Sequence, residues 1–173
     1  MKNKKFWKGF YVVMFLLGAA SIIFEISIYR HTLIEVYIPI LIIVVVGLIA
    51  FFFNRSHYKR TYELSGNFFP LLQNLISWGF ISCYIFMAAN FYLAEQATTE
   101  YRYDIKEKKS MPGPKWNRRK RVPLVKIDLF GIEKELVFDH TETDNVGKAD
   151  SVMVSIKKGG LGFKILDKYQ AYN

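Results

Sequence analysis

Residues 33–53 read LIEVYIPILIIVVVGLIAFFF. Between Pro39 and Phe53 no side chain is polar, so a helix drawn through this stretch has no face to turn toward water. A buried helix of a water-soluble domain is shorter and keeps such a face. A helix crossing the hydrocarbon core of a bilayer needs about 20 consecutive apolar residues, and this run supplies them.

Two further runs have the same character. FYVVMFLLGAASIIFEISIY covers Phe10–Tyr29, and FFPLLQNLISWGFISCYIFMAANFYLA covers Phe68–Ala94. Together the runs predict three transmembrane helices, with Pro39 and Pro70 in first turns, where the missing N–H has no helical partner to lose. The opening MKNKKFWKGF, followed by YVVMFLLGAAS, has the basic and apolar regions of a secretory signal and small residues up to Ala20. The apolar run continues through Ile28, long enough to span, so an uncleaved anchor is expected.

The bulk composition fits this division. Hydrophobic residues make up 51% and aromatics 17% of 173 residues, yet the net charge is +9. Charge is segregated: residues 1–96 hold 8 Lys+Arg and 4 Asp+Glu, and residues 97–173 hold 16 and 11. The chain therefore reads as a three-helix transmembrane region over 1–96 and an extramembrane β-domain over 97–173. The abundance of Lys, Ile, Phe, Tyr and Asn suits an AT-rich bacterial genome, and a bacterial cytoplasmic (inner) membrane is the expected location. Basic residues near helix ends set orientation. Lys2, Lys4, Lys5 and Lys8, with Arg55, Lys59 and Arg60 between helices two and three, outnumber Arg30, Arg102, Lys106, Lys108 and Lys109 on the other side. This favours a cytoplasmic N-terminus and an external C-terminal domain.

Polar residues inside apolar runs are costly and are suspects for function. Glu25 and Glu35 lie toward the ends of helices one and two that meet at Arg30–His31. They read either as carboxylates at interface depth, with Arg30 as partner, or as a pair that binds a cation or proton. The third run carries Gln73, Asn74, Ser77, Gly79, Ser82, Cys83 and Asn90. Small and amide side chains suit close helix–helix packing and hydrogen bonds across it; a polar permeation path is the alternative.

After Ala94 the pattern changes to period two. YRYDI (Tyr101–Ile105), VKIDL (Val125–Leu129), ELVF (Glu135–Phe138), VMVSI (Val152–Ile156) and LGFKI (Leu161–Ile165) alternate or are β-rich. They predict about five antiparallel strands, curled or sandwiched. The expected core is Tyr101, Tyr103, Ile105, Val125, Ile127, Leu129, Leu136, Phe138, Val152, Val154, Ile156, Phe163 and Ile165. Hairpins are expected around Gly131 and at KKGG (Lys157–Gly160), the glycines there supplying positive φ. HTETDNVGKAD (His140–Asp150) reads as a polar loop. KSMPGPKWNRRKR (Lys109–Arg121) reads as a long basic loop. Within it Lys115, Trp116, Arg118, Arg119, Lys120 and Arg121 are candidates for lipid headgroups or an acidic partner surface. With the domain outside, nucleic acid is not an expected partner.

Motifs for catalysis are missing. The chain has three histidines, with His31 in the tight turn, His57 in the basic loop and His140 in the polar loop, and none forms HExxH. Asp139-His140-x-Glu142-x-Asp144 does not fit a calcium loop and reads as a solvated turn. Gly159, Gly160 and Gly162 are followed by no GKS or GKT, and no GxSxG is present. The one cysteine, Cys83, allows no intrachain disulfide. No catalytic residue, metal or cofactor is expected. The pattern points to a non-enzymatic accessory or scaffold subunit of a larger membrane assembly, with helix three as its intramembrane contact face and lipids, other subunits or further copies as neighbours. The alternatives are an oligomeric small transport or channel component using Glu25, Glu35, Asn74 and Asn90, and a sensor or immunity-type binding protein.

Overall fold

The computed structural model describes residues 2–113 and 120–172. The chain divides into two compact units: Met1–Arg30 with Ile34–Leu93, and His31–Leu33 with Ala94–Asn173.

The first unit is helical. It consists of α1 (Lys2–His31), α2 (Tyr37–Tyr62) and α3 (Phe68–Tyr92). All three are long and apolar enough to cross a membrane, with windows of mean hydropathy 2.1, 2.6 and 1.4. The sequence expectation that Arg55, His57, Lys59 and Arg60 occupy a loop needs correction, because α2 runs through all four. Nothing in NRSHYKRTY breaks a helix, and Lys59 and Arg60 in the last turn suit its negative end. The helix stops at Glu63, which turns left-handed (φ 58), and the Leu64 N–H donates to the Lys59 carbonyl at 3.0 Å.

Three glycines let these helices approach. A Cβ on Gly18 of α1 would lie 2.0 Å from the Ile76 carbonyl oxygen, and one on Gly79 of α3 would lie 2.7 Å from the Ile43 carbonyl oxygen of α2. Gly47 of α2 likewise accommodates Leu75. Residues Leu75–Gly79 form a π-helical turn within α3, so the widened turn is the segment against which both neighbouring helices pack. Such turns insert irregularity into an α-helix and recur at functional positions.

The second unit contains six strands, where alternation had suggested five: β1 (Thr98–Asp104), β2 (Glu107–Pro112), β3 (Arg121–Leu129), β4 (Ile132–Val137), β5 (Ser151–Lys158) and β6 (Lys164–Tyr172). They form two antiparallel three-stranded sheets, ordered β1-β5-β6 and β2-β3-β4. A shared core fills with Val125, Ile127, Leu129, Leu136, Phe138, Val152, Val154, Ile156 and Leu166, joined by Val146 and Leu33. Tyr103 and Ile105 pack against its margin, while Tyr101 stays more open. His31–Leu33 belong to this unit. Thr32 bridges Ile165, the Leu33 N–H donates to the Lys164 carbonyl at 2.8 Å, and the Leu33 side chain enters the core.

Other expectations are corrected in detail. The long loop expected over 109–121 is shorter, because Lys109–Pro112 pair with Arg121–Leu124. β2 is exposed throughout and charged, so it shows no alternation, as befits an edge strand guarded by lysines. The segment 140–150 is not simply a loop. A 3-10 turn at His140–Glu142 leads into α4 (Thr143–Lys148), which inserts Val146 into the core. Asp139 caps this segment, its Oδ1 accepting from the Thr141 N–H at 3.0 Å.

The β5–β6 connection has its positive φ at Gly162 (φ 92) and not at Gly159 or Gly160; the Gly159 N–H reaches the Phe163 carbonyl at 3.0 Å. β6 starts at Lys164 and runs seven residues past the predicted end at Ile165. A bulge hides it: Ser155 pairs with Lys168 but Ile156 with Leu166, so Asp167 is the extra residue. The β3–β4 hairpin turns at Phe130 (φ 56) and Gly131 (φ 84). Positive φ at both central residues is what a type I′ turn requires. The Gly131 N–H is held by Asp128 Oδ1 at 2.7 Å.

Candidate functional site

The polar residues in the middle of α3 point inward. Asn74, Ser77 and Asn90 are buried to 1%, 1% and 0% exposure, Gly79 is buried and Ser82 half-buried. Gln73 crosses from α3 to α1, its Nε2 donating to the Tyr11 carbonyl and to Ser77 Oγ, both at 2.9 Å. Asn74 donates to the Pro70 carbonyl at 2.7 Å, and Asn54 of α2 reaches Asn74 Oδ1 at 3.4 Å. These amides tie three helices together around the π-helical turn. They do not present an outward polar face on α3, so the third helix keeps its polar surface for its own bundle.

Glu25 and Glu35 are not brought together as equivalents. Glu35 lies in the link between α1 and α2 and is exposed. Glu25 is buried, at 9% exposure. Its Oε1 accepts from the Cys83 Sγ–H at 3.0 Å, and the same thiol lies 3.7 Å from the Pro39 carbonyl. Its Oε2 is buried with no partner among the described residues. Glu25 lines an otherwise apolar cleft of about 190 Å³ with residues of all three helices, Ile22, Pro39, Ile43 and Phe80 among them. Sequence reading could place Glu25 in an apolar run but not beside Cys83, because the two are far apart in the chain.

A second cluster lies where the start of α1 meets the end of α2. Tyr11 Oη and His57 Nδ1 are 2.9 Å apart, and the His57 ring stands 4.5 Å from that of Trp7. Tyr58 and Tyr62 extend the aromatic group, and Lys4 forms an ion pair with Glu63. Beside it Arg55, Lys59 and Arg60 border an open cleft of about 640 Å³ with Asn67 and Glu63. Lys4, Arg55, Lys59 and Arg60 thus lie where the start of α1 meets the end of α2, and the Trp7–His57 contact gave no signal in the sequence.

In the β unit, Lys115, Trp116, Arg118 and Arg119 lie outside the described residues. Lys120 is exposed. Arg121 is tied across the sheet, its Nε donating to Ser110 Oγ at 2.8 Å and its Nη2 to the Ser110 carbonyl at 3.1 Å. His140 Nδ1 lies 2.8 Å from the Arg121 carbonyl, and Asp139 is used as a cap. Among the described residues no three His, Cys, Asp or Glu side chains gather as a metal site.

The outer face of the second sheet carries an ion-pair ladder. Lys106 Nζ sits 2.9 Å from Asp128 and 3.7 Å from Glu133, and Lys126 Nζ sits 2.6 Å from Glu133. The Lys106 hydrogen bond, then the Gly131 N–H, hold the Asp128 carboxyl below the usual aspartate range. Lys126 does the same for Glu133, and both lysines are raised in return. Lys134 moves the other way, lowered by burial. Exposed pairs of this kind contribute little to stability.

No family model matches the chain, and no curated protein or solved structure matches it.

Proposed function

We propose that the chain is a non-enzymatic integral membrane protein, an accessory or scaffold subunit of a larger membrane assembly. One observation carries the reading. The helical unit uses its amides and glycines internally and leaves large apolar side chains outside, with Ile23 72% and Phe53 83% exposed. Such a surface is stable only against lipid or another apolar surface. The finer placement belongs to the same proposal: a bacterial cytoplasmic membrane, the N-terminus inside, and the β unit outside. The lysines and arginines at the α1 start and α2 end, which outnumber those near the opposite helix ends, support that orientation. The basic segment Lys115–Arg121 then meets lipid headgroups or an acidic partner surface. In this reading the intramembrane contact uses the apolar surface and not the polar side of α3, whose Gln73 and Asn74 bond within the bundle.

Isolation of the full chain from its native membranes in mild detergent tests the reading. Stoichiometric retention of a second membrane protein is expected. A monodisperse particle of this chain alone would count against a subunit role. Labelling of lysines from each side of sealed vesicles checks sidedness, with Lys106, Lys108 and Lys109 expected to react from outside.

A further inference from the structure

The cleft at Glu25 has a shape and a chemistry that can be read together. Ile22, Glu25, Ile26 and Tyr29 line it from α1 at the spacing of one helical face, and Val36, just before α2, with Pro39, Ile40 and Ile43 of α2 repeats that spacing. Two such parallel stripes are the surface into which a further helix packs. Ile26 and Ile40 at the rim are 51% and 53% exposed, so none of the described residues closes the groove.

Within this apolar lining Glu25 is the single carboxylate. One of its oxygens is satisfied by Cys83, and the other is buried without a partner among the described residues. A buried carboxylate oxygen left without a donor is costly, and carboxylates within spans pair with other groups. Glu25 also lies inside the apolar run, about 6 Å along the helix from Tyr29 at 1.5 Å per residue. Headgroup donors of lipids sit beyond that run, whereas a side chain on a neighbouring helix can arrive sideways at any depth.

We propose that the α1–α2 cleft receives a membrane-spanning helix of a partner protein, which places a lysine or arginine against the free oxygen of Glu25. The partner is a different polypeptide. The three apolar runs of this chain, Phe10–Tyr29, Leu33–Phe53 and Phe68–Ala94, contain no lysine or arginine, so a second copy has none to offer at that depth. The inference rests on the subunit reading above and names the chemistry of its intramembrane contact.

The test uses the full chain in native membranes with a photo-crosslinking residue at position 40, together with Glu25→Gln and Ile40→Trp in otherwise unmodified chains. The expected adduct is a span of another protein containing Lys or Arg. Retention of that protein in detergent is expected to fall at least tenfold with Glu25→Gln, with Ile40→Trp, and with Leu in place of the partner's basic residue. Glu35→Gln is expected to retain it fully. If the unmodified chain holds no partner, the subunit reading and this inference fail together. If it holds one that both variants retain equally, or if position 40 labels only lipid or another copy of this chain, the inference alone is overturned. Ile40→Trp adds bulk on an exposed position, so it decides the question even where Glu25→Gln disturbs folding.

Discussion

The two units of this protein bury opposite things. The β unit hides Val125, Ile127, Leu129, Val152 and Val154 and sets lysines, aspartate and glutamates outside in ion pairs. The helical unit hides Gln73, Asn74, Ser77 and Asn90 and leaves Ile23, Phe52 and Phe53 outside. One chain thus carries two opposite patterns of burial. Where water surrounds the unit, folding is driven by apolar burial. Where apolar surface faces out, cohesion comes from close backbone approach and interhelical hydrogen bonds.

The sharpest way to break this contrast is to cut volume in both places. Ile127→Ala removes side-chain volume from a fully buried site and should destabilise the β unit by about 2–5 kcal/mol. Ile49→Ala, on a residue 53% exposed in α2, should change folding by less than about 0.5 kcal/mol. Segment-resolved hydrogen exchange on the full chain in detergent reads both; equal effects would show that the two units are held together in the same way.

Next in size are the glycines of α1. Gly18→Ala drives a methyl into the Ile76 carbonyl and should cost about 1–3 kcal/mol. Gly9→Ala meets nothing and should gain up to about 1 kcal/mol from helix propensity. Thermal unfolding of the two variants should therefore shift in opposite directions.

In the β unit the corresponding glycine effect comes from φ and not from crowding. Gly131→Ala has open space around it but keeps a left-handed backbone, so a loss of about 1 kcal/mol is expected. Denaturant midpoints measure it; an unchanged midpoint would remove the claim that the hairpin depends on that conformation.

The smallest effect concerns acid. Asp128, Glu133 and Asp139 have carboxyls held below their usual range, so their contribution is complete at neutral pH. It fades as pH falls below about 4, through the lowered folded-state values. Melting of the β unit should therefore drop modestly over that interval, and Lys106→Met should flatten the slope.

The three long helices were legible because the length of each apolar run encodes them. Strands β3 and β5 were legible because Val125, Ile127 and Leu129, and Val152 and Val154, recur at every second position; β1 showed in Tyr101 and Tyr103, and β4 in the β-rich ELVF. β2 was not, since an exposed edge strand has no inward residues to repeat. β6 was cut short because the bulge at Asp167 sets Ile165 and Leu166 side by side, both buried, which breaks the period. α4 is shorter than two turns and polar, so its segment read as a loop. At the site, Glu25 and Asn74 stood out by polarity. Which helix each faced did not, because that depends on Gly18, Gly47 and Gly79 meeting backbone from distant segments. Nothing local in LISWG announces a π-helical turn.

The tripeptide His31–Leu33 has a consequence for the timing of biosynthesis. Thr32 is synthesised long before its bridging partner Ile165. Leu33 waits through the synthesis of every strand before the core that encloses it can close. Contacts this distant in sequence form late, so the β unit reaches its final state only after β6 has been made. A fragment that starts at Ala94 would carry all six strands and still lack a residue of its own interior.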